Sequence, residues 1–264
     1  MGKIIQIKVQ KGGLGKSFIT ATLGHLLAIM ENKVLILSTD SQNSIYDIFT
    51  KEKKEKVGNK GLIDSILNSN LNTIELREKL EFIPLEMGKR FTSRILEKIP
   101  SFLKSLKTKY DYILIDSTPS LELDEIFLKN SDQIIVPAIG DKLAVNGIIN
   151  IIKQNPEKIA AIVFNRYTNT RVNKAYYKEM KELCDNSGVF MPEPIKLLSY
   201  IAELVERGET IWEVNSKKVV ETQEVFKEIL KRIYGTDGNK FSLFGDSKSD
   251  VLFGGNGNDM LIGH

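Results

Sequence analysis

The chain of 264 residues has one cysteine, one tryptophan and two histidines. One thiol, Cys184, cannot close an intramolecular disulfide or build a cysteine metal site within a single chain, and this usage suits a reducing cytoplasm. No run reaches the roughly eighteen apolar residues that a membrane span requires. The apolar stretch before the first glycine pair is too short for a signal peptide, so a soluble internal protein is expected. Charge of one sign is also scarce, since 37 Lys and Arg face 34 Asp and Glu for a net charge of +3. Bulk charge therefore decides nothing, and any nucleic-acid binding must come from a local patch. His25 and His264 have no metal partner at suitable spacing, which leaves packing or solvent contact as the default.

What is present is enough apolar residue, 42%, for a sizeable core. Short β-branched runs (KIIQIKV, KVLILS, YDYILID, SDQIIVP and KIAAIVFN) alternate with amphipathic stretches. Their near-continuous apolar character is that of strands covered on both faces. Helices are expected over about Lys16–Met30, Arg90–Lys107, Lys142–Gln154, Arg171–Ser187, Leu197–Gly208 and Lys217–Tyr234. Strands separated by helices predict an α/β fold with a doubly wound, mostly parallel sheet, whose chemistry lies at the carboxyl ends of the strands. The charged stretch Lys51–Gly61 is expected to be a solvated connection.

Two units follow from composition: a domain over 1–235 and a Gly/Asp/Asn-rich tail over 236–264. In the tail, GDSKSDVLF (Gly245–Phe253) and GGNGNDMLI (Gly254–Ile262) are consecutive nine-residue copies that resemble the calcium-binding repeat of RTX proteins. Lys248 replaces a glycine of that pattern. Stacking usually takes about three or more repeats, so a flexible or vestigial tail is expected ahead of a Ca²⁺ site.

The stretch KGGLGKS (Lys11–Ser17) follows a strand and opens a helix. In that context it reads as a phosphate-binding loop. Gly12, Gly13 and Gly15 allow backbone angles closed to other residues, so successive N–H groups can face an anion at the positive end of the helix. Lys16 would reach the β- and γ-phosphates of a nucleotide, and Ser17 would join the shell of a Mg²⁺. Asp116, after four apolar residues of YDYILID, would face that metal. Alone, such an aspartate is more often a turn or cap residue, and its pairing with the loop carries the inference. Asp111 is read as a surface turn.

KGGLGKS with its additional Lys11, then VLILSTDSQNS, YDYILIDSTPSL and SDQIIVPAIGDKLAVNGI, resemble the ParA/MinD family of deviant Walker ATPases over roughly Lys3–Tyr234. The resemblance implies ATP and Mg²⁺ as cofactors, with nucleotide contacts from Gly12, Gly13, Leu14, Gly15, Lys16, Ser17 and Phe18. It also implies a homodimer in the ATP state, in which Lys11 projects into the nucleotide of the facing subunit. From the residues alone Lys11 could equally be a surface lysine. Asp40 would orient the attacking water; Ser38 and Ser41 stand where the family commonly has an acid and a proline, which bears on the hydrolysis rate. Asn165 aligns with a family position that often holds the adenine base, and Arg166 could stack there or be solvated. The segment from Pro192 lacks the family's usual Ser-Glu-Ala-Pro spelling.

A nitrogenase-type iron protein would need two cysteines, and a MinD-like membrane ATPase a terminal basic amphipathic helix. The ParA side implies nonspecific DNA, a ParB-like stimulating partner, no membrane, and a cytoplasmic, nucleoid-associated protein that moves plasmid, chromosome or protein cargo. Candidate DNA contacts are Lys196, Arg207, Lys217, Lys218, Lys227, Lys231 and Arg232, although residues alone read the last helix as a solvated mixed-charge face. No helix-turn-helix region is expected before the loop, so operator recognition is not. The alternatives are a nucleotide-gated scaffold that hardly hydrolyses, suggested by Ser38 and Ser41, and a MinD-like positioning ATPase on a lipid surface.

Overall fold

The elements in the computed structural model, which describes residues 1–8, 11–51, 60–68, 70–118, 121–235, 251–253 and 260–262, follow the alternation of the sequence. In chain order they are β1 (Lys3–Ile7), α1 (Lys16–Ile29), β2 (Val34–Ser38), α2 (Ser44–Phe49), α3 (Leu62–Asn68), β3 (Ile74–Arg77), β4 (Leu80–Ile83), α4 (Ser93–Leu96), α5 (Ile99–Leu106), β5 (Tyr112–Asp116), α6 (Leu121–Asn130), β6 (Gln133–Ala138), α7 (Lys142–Gln154), β7 (Ile159–Phe164), α8 (Arg171–Asn186), α9 (Ser199–Glu206) and α10 (Val220–Tyr234).

One seven-stranded sheet has the order β3-β4-β2-β5-β1-β6-β7. All pairs are parallel except β3 with β4. The expected doubly wound, mostly parallel architecture is what forms. Alternate residues of each strand serve opposite faces. Ile5, Ile7 and Ile36 pack with α1, α2, α9 and α10. Ile4, Leu35 and Leu37 pack with α3 to α6, and Ile134, Val136 and Ile162 with α7 and α8.

Both margins of the sheet are covered or short. The outer margin of β7 bonds to residues 190–197: Ile162 N–H donates to the Phe190 carbonyl (3.0 Å), Ile195 N–H to Phe164 (2.9 Å) and Tyr167 N–H to Ile195 (2.9 Å). At the other end β3 has only four residues, with Glu75 and Arg77 among them.

Several expectations are corrected in detail. The single helix expected over Arg90–Lys107 is two, because Pro100 lies in the first turn of α5, where a missing N–H is tolerated, and cannot continue a preceding helix. The helix expected from Lys217 starts at Val220, and that expected from Leu197 starts at Ser199. Asp111 is a turn residue as expected, and its carboxylate accepts from the Lys33 N–H (2.8 Å) at the start of β2. His25 is buried, with Nδ1 2.7 Å from the Thr210 hydroxyl. Burial pushes its pKa down to about 4. Trp212 is buried and donates from Nε1 to the Thr22 carbonyl (2.8 Å).

In the tail, β8 (Val251–Phe253) pairs antiparallel with β9 (Met260–Ile262), Leu252 opposite Leu261. These two strands occupy equivalent places in the two nine-residue copies. The remainder of the tail, and residues 52–59 of the charged connection, lie outside the described residues.

Candidate functional site

The carboxyl ends of β1, β2 and β5 converge where the sheet order switches, with Ile7 and Ser38 both in register with Asp116. Ligands bind at such crevices in open α/β sheets. Gly13 and Gly15 have φ of +80°, and α1 begins at Lys16. A Cβ added at Gly12 or Gly13 would meet no atom within 4 Å, so this side of the loop borders open space.

Three side chains of α1 meet one buried carboxylate. Ser17 donates to Asp116 Oδ2 (3.0 Å), Thr20 donates to Oδ1 (3.2 Å), and Lys16 Nζ lies 2.7 Å from Oδ1 as an ion pair. Apart from this ion pair, the buried Lys16 ammonium has no hydrogen-bond partner among the described residues. A buried ammonium with unused donors, beside open loop amides, fits a phosphate. Ser17 and Asp116 fit a Mg²⁺ that keeps several waters and takes phosphate oxygens. No group of three or more His, Cys, Asp or Glu among the described residues could hold a metal by protein ligands alone.

Asp40 follows β2. Its Oδ1 accepts from the Gln42 N–H (3.0 Å), while the Ser38 hydroxyl donates to the Asp40 carbonyl (3.0 Å) and accepts from its N–H (3.1 Å). Ser38 thus shapes this turn instead of supplying a carboxylate. Thr39, which the sequence reading did not single out, ties the segment to Asp116: it accepts from Thr118 N–H (2.8 Å), and its own N–H donates to the Asp116 carbonyl (3.2 Å). Asn43, in a left-handed conformation (φ 47°), accepts from Leu85 N–H (3.0 Å) and donates to its carbonyl (2.8 Å).

Lys11 pairs with Asp141, which also N-caps α7 by accepting from Ala144 N–H (2.8 Å). Burial alone would raise the Asp141 carboxyl, but Lys11 and the helix amide outweigh it and hold its pKa below the ordinary value. A second unforeseen network lies beneath the loop. Asp124 is paired with Lys8 and accepts from Gln6 Nε2 (2.6 Å), and Ser117 donates to the Ile7 carbonyl (3.0 Å).

Asn165 and Arg166 lie beside the loop. Asn165 is buried and donates from Nδ2 to the Leu14 carbonyl (2.9 Å), its Oδ1 accepts from Arg166 N–H (2.9 Å), and Arg166 NH1 donates to the Gly13 carbonyl (3.2 Å). Both line a cavity of about 370 Å³ with Phe18, Leu198, Ile201 and Val205, an apolar slot next to the glycines with polar groups at its rim. Leu14 is buried and with Lys11 borders a separate cavity of about 330 Å³ against α7.

Three of the seven candidate DNA-binding cations are paired with carboxylates of the same chain. Lys196 pairs with Glu221 (2.5 Å), Arg207 with Glu209 (3.1 Å) and Lys227 with Glu224 (2.7 Å). Lys218 lies 4.6 Å over the Tyr200 ring and Arg232 5.1 Å over Phe190. Lys217 and Lys231 are exposed.

A glycine loop feeding a helix, with a lysine and a serine converging on an aspartate at the next strand's tip, defines a P-loop nucleotide-binding protein. The family model described as AAA domain matches residues 2–169. The chain belongs to this family, in its ParA/MinD branch of Walker-type ATPases. It is 30% identical over 164 residues to the sporulation initiation inhibitor protein Soj of Bacillus subtilis, a match spanning 58% of this chain and 64% of Soj. A solved Borrelia burgdorferi B31 protein assigned to plasmid partition and bound to AMPPNP is 26% identical, with a TM-score of 0.69 over 89% of this chain and 99% of that one. Apo McdA of Cyanothece, at 21% identity, shares the fold with a TM-score of 0.73 over 88% of this chain and all of that one.

Proposed function

We propose that the protein is an ATP-dependent dimerising ATPase of the ParA type, which binds nonspecific DNA in its ATP state and partitions or positions plasmid, chromosome or protein cargo. The observation that carries this reading is the convergence of Lys16 and Ser17 on the buried Asp116 at the start of α1. Lys16 binds the β- and γ-phosphates, the loop amides from Gly12 to Phe18 cradle them, and Ser17 with Asp116 holds Mg²⁺, which supplies charge neutralisation at the transferring group. Asp40 orients water toward the γ-phosphate, and the cavity beside Phe18, Asn165 and Arg166 takes the base. Lys11 of one protomer reaches the nucleotide of the other, where a cation stabilises charge spread over the transferring phosphoryl. The AMPPNP bound to the Borrelia relative supports a nucleoside triphosphate.

Hydrolysis is slow, a ParB-like partner stimulates it, and the protein is cytoplasmic and nucleoid-associated. No helix among the described residues is long and apolar enough to cross a membrane. The test is sedimentation with and without ATP and Mg²⁺, alongside phosphate release with and without DNA. A chain that stays monomeric with ATP bound overturns the reading.

A second reading, a nucleotide-gated scaffold that hardly hydrolyses, is favoured by Ser38, whose hydroxyl is committed to the Asp40 backbone where the family commonly has an acid. Single-turnover hydrolysis separates the two.

A further inference from the structure

From Met87 to Tyr110 the chain has seven Lys and Arg and one acid, Glu97. This stretch has a net charge of +6 in a chain whose total is +3, so the rest of the molecule is net negative. The cations share one layer. Ile95, Ile99, Phe102 and Leu106 turn into the core with Ile4 and Ile113, which leaves Lys89, Arg90, Arg94 and Lys104 exposed and Lys98 half-buried on the solvent side. None of these five has an acidic partner among the described residues, in contrast to Lys196, Arg207 and Lys227. Glu86, just before the stretch, is buried and spent on the amides of Ile63 and Asp64 (3.0 and 2.7 Å) at the start of α3.

We propose that the outer face of α4 and α5, with the preceding loop from Lys89, is a docking surface for the phosphate backbone of duplex nucleic acid. Unpaired, solvent-exposed cations release the counterions of a polyanion at no cost in broken ion pairs, whereas Lys196, Arg207 and Lys227 of the opposite surface must first give up their carboxylates. The two surfaces lie on opposite faces of the sheet, since α10 packs with Ile5 and Ile7 and α5 with Ile4. Among the described residues the stretch has one exposed large apolar side chain, Met87, too little for the apolar face that holds a helix in a lipid interface. The surface is also joined to the nucleotide end of the sheet. Leu85, just before it, is bonded on both sides to Asn43, whose N–H donates to the Asp40 carbonyl (3.0 Å).

The inference rests on the DNA-binding part of the proposed function, and its test separates the two. Binding of an arbitrary-sequence DNA duplex is measured with ATP between about 50 and 200 mM salt for the full chain. The triple variant Arg90→Gln, Arg94→Gln, Lys98→Gln is compared with the pair Lys217→Gln, Lys231→Gln. The triple variant is expected to lower the slope of log K against log salt by about three and weaken binding equally across sequences, with thermal melting and ATP binding unchanged. The double variant is expected to stay within a factor of about three of the parent, an effect below one lost phosphate contact. If the parent binds and only the double variant loses affinity, this location is wrong while the broader reading stands. If the parent binds vesicles rich in anionic lipid but no duplex, both fall.

Discussion

The Lys11 ammonium is held by the Asp141 carboxylate of the same chain, and that carboxylate also caps α7. A lysine proposed to reach a facing subunit must leave this partner first, so the pair competes with dimer formation. Asp141→Asn retains a residue that caps helices well while removing the charge. It is expected to shift ATP-dependent dimerisation to lower protein concentration, whereas Lys11→Ala abolishes it and leaves ATP binding intact. Analytical ultracentrifugation across a concentration series checks both, and an unaltered midpoint for Asp141→Asn removes the competition.

Asp40 is half-buried at the tip of β2, with one carboxylate oxygen held by Gln42 N–H (3.0 Å). Asp40→Ala is expected to keep ATP-dependent pairing and eliminate turnover, because it removes the group proposed to orient water without touching the loop. Phosphate release from the purified dimer is the measurement. Undiminished release assigns the water to another group.

Gly15 and Gly13 share φ of +80° but differ in surroundings: a Cβ on Gly15 would lie 2.0 Å from Asn165 Nδ2, and one on Gly13 would touch nothing within 4 Å. Alanine in the left-handed region costs roughly 1–2 kcal/mol at either site. At Gly15 the displaced Asn165 also abandons the buried Leu14 carbonyl, at about 1–3 kcal/mol. Urea melts should therefore show stability lower by roughly 2–5 kcal/mol for Gly15→Ala and by roughly 1–2 kcal/mol for Gly13→Ala. Equal losses at the two positions would contradict the role given to Asn165.

The phosphate loop, Asp116 and five parallel strands were legible because each is written locally, as glycines between a strand and a helix or as an unbroken apolar run. The hairpin β3–β4 was not, because Glu75, Arg77 and Glu81 interrupt its apolar pattern. Helices α2, α3 and α6 are short or begin in polar segments, and their apolar residues make no long periodic stretch. Asp141 and Thr39 act through partners 130 and 79 residues away, a relation no spacing rule carries. Thr20 had a readable signal, being one helical turn beyond Lys16 on α1. Pairing also explains the basic residues: sequence identified Lys196, Arg207 and Lys227 as cations, but only the fold placed a carboxylate against each.

His25 is buried, and burial lowers its pKa from 6.5 to about 4. Between those values the unfolded chain binds a proton that the folded one does not. Stability is therefore expected to fall as pH drops from about 6.5 toward 4, by ~3 kcal/mol in all, and the contribution is complete above 6.5. Urea melts at pH 7 and pH 5, compared with a His25→Gln variant, isolate the imidazole's contribution. A parent and a variant with parallel pH profiles would show that the imidazole is not its source.

The bonded outer margin of β7 and the clipped, charged β3 leave no long row of free backbone amides at either end of the sheet. Such rows are the templates on which chains add to one another strand by strand, into fibres or swapped assemblies. With that route closed at both ends of the seven-stranded sheet, copies of this domain are left to associate there through side chains and loops, which a bound ligand can switch on and off, as a fused sheet could not.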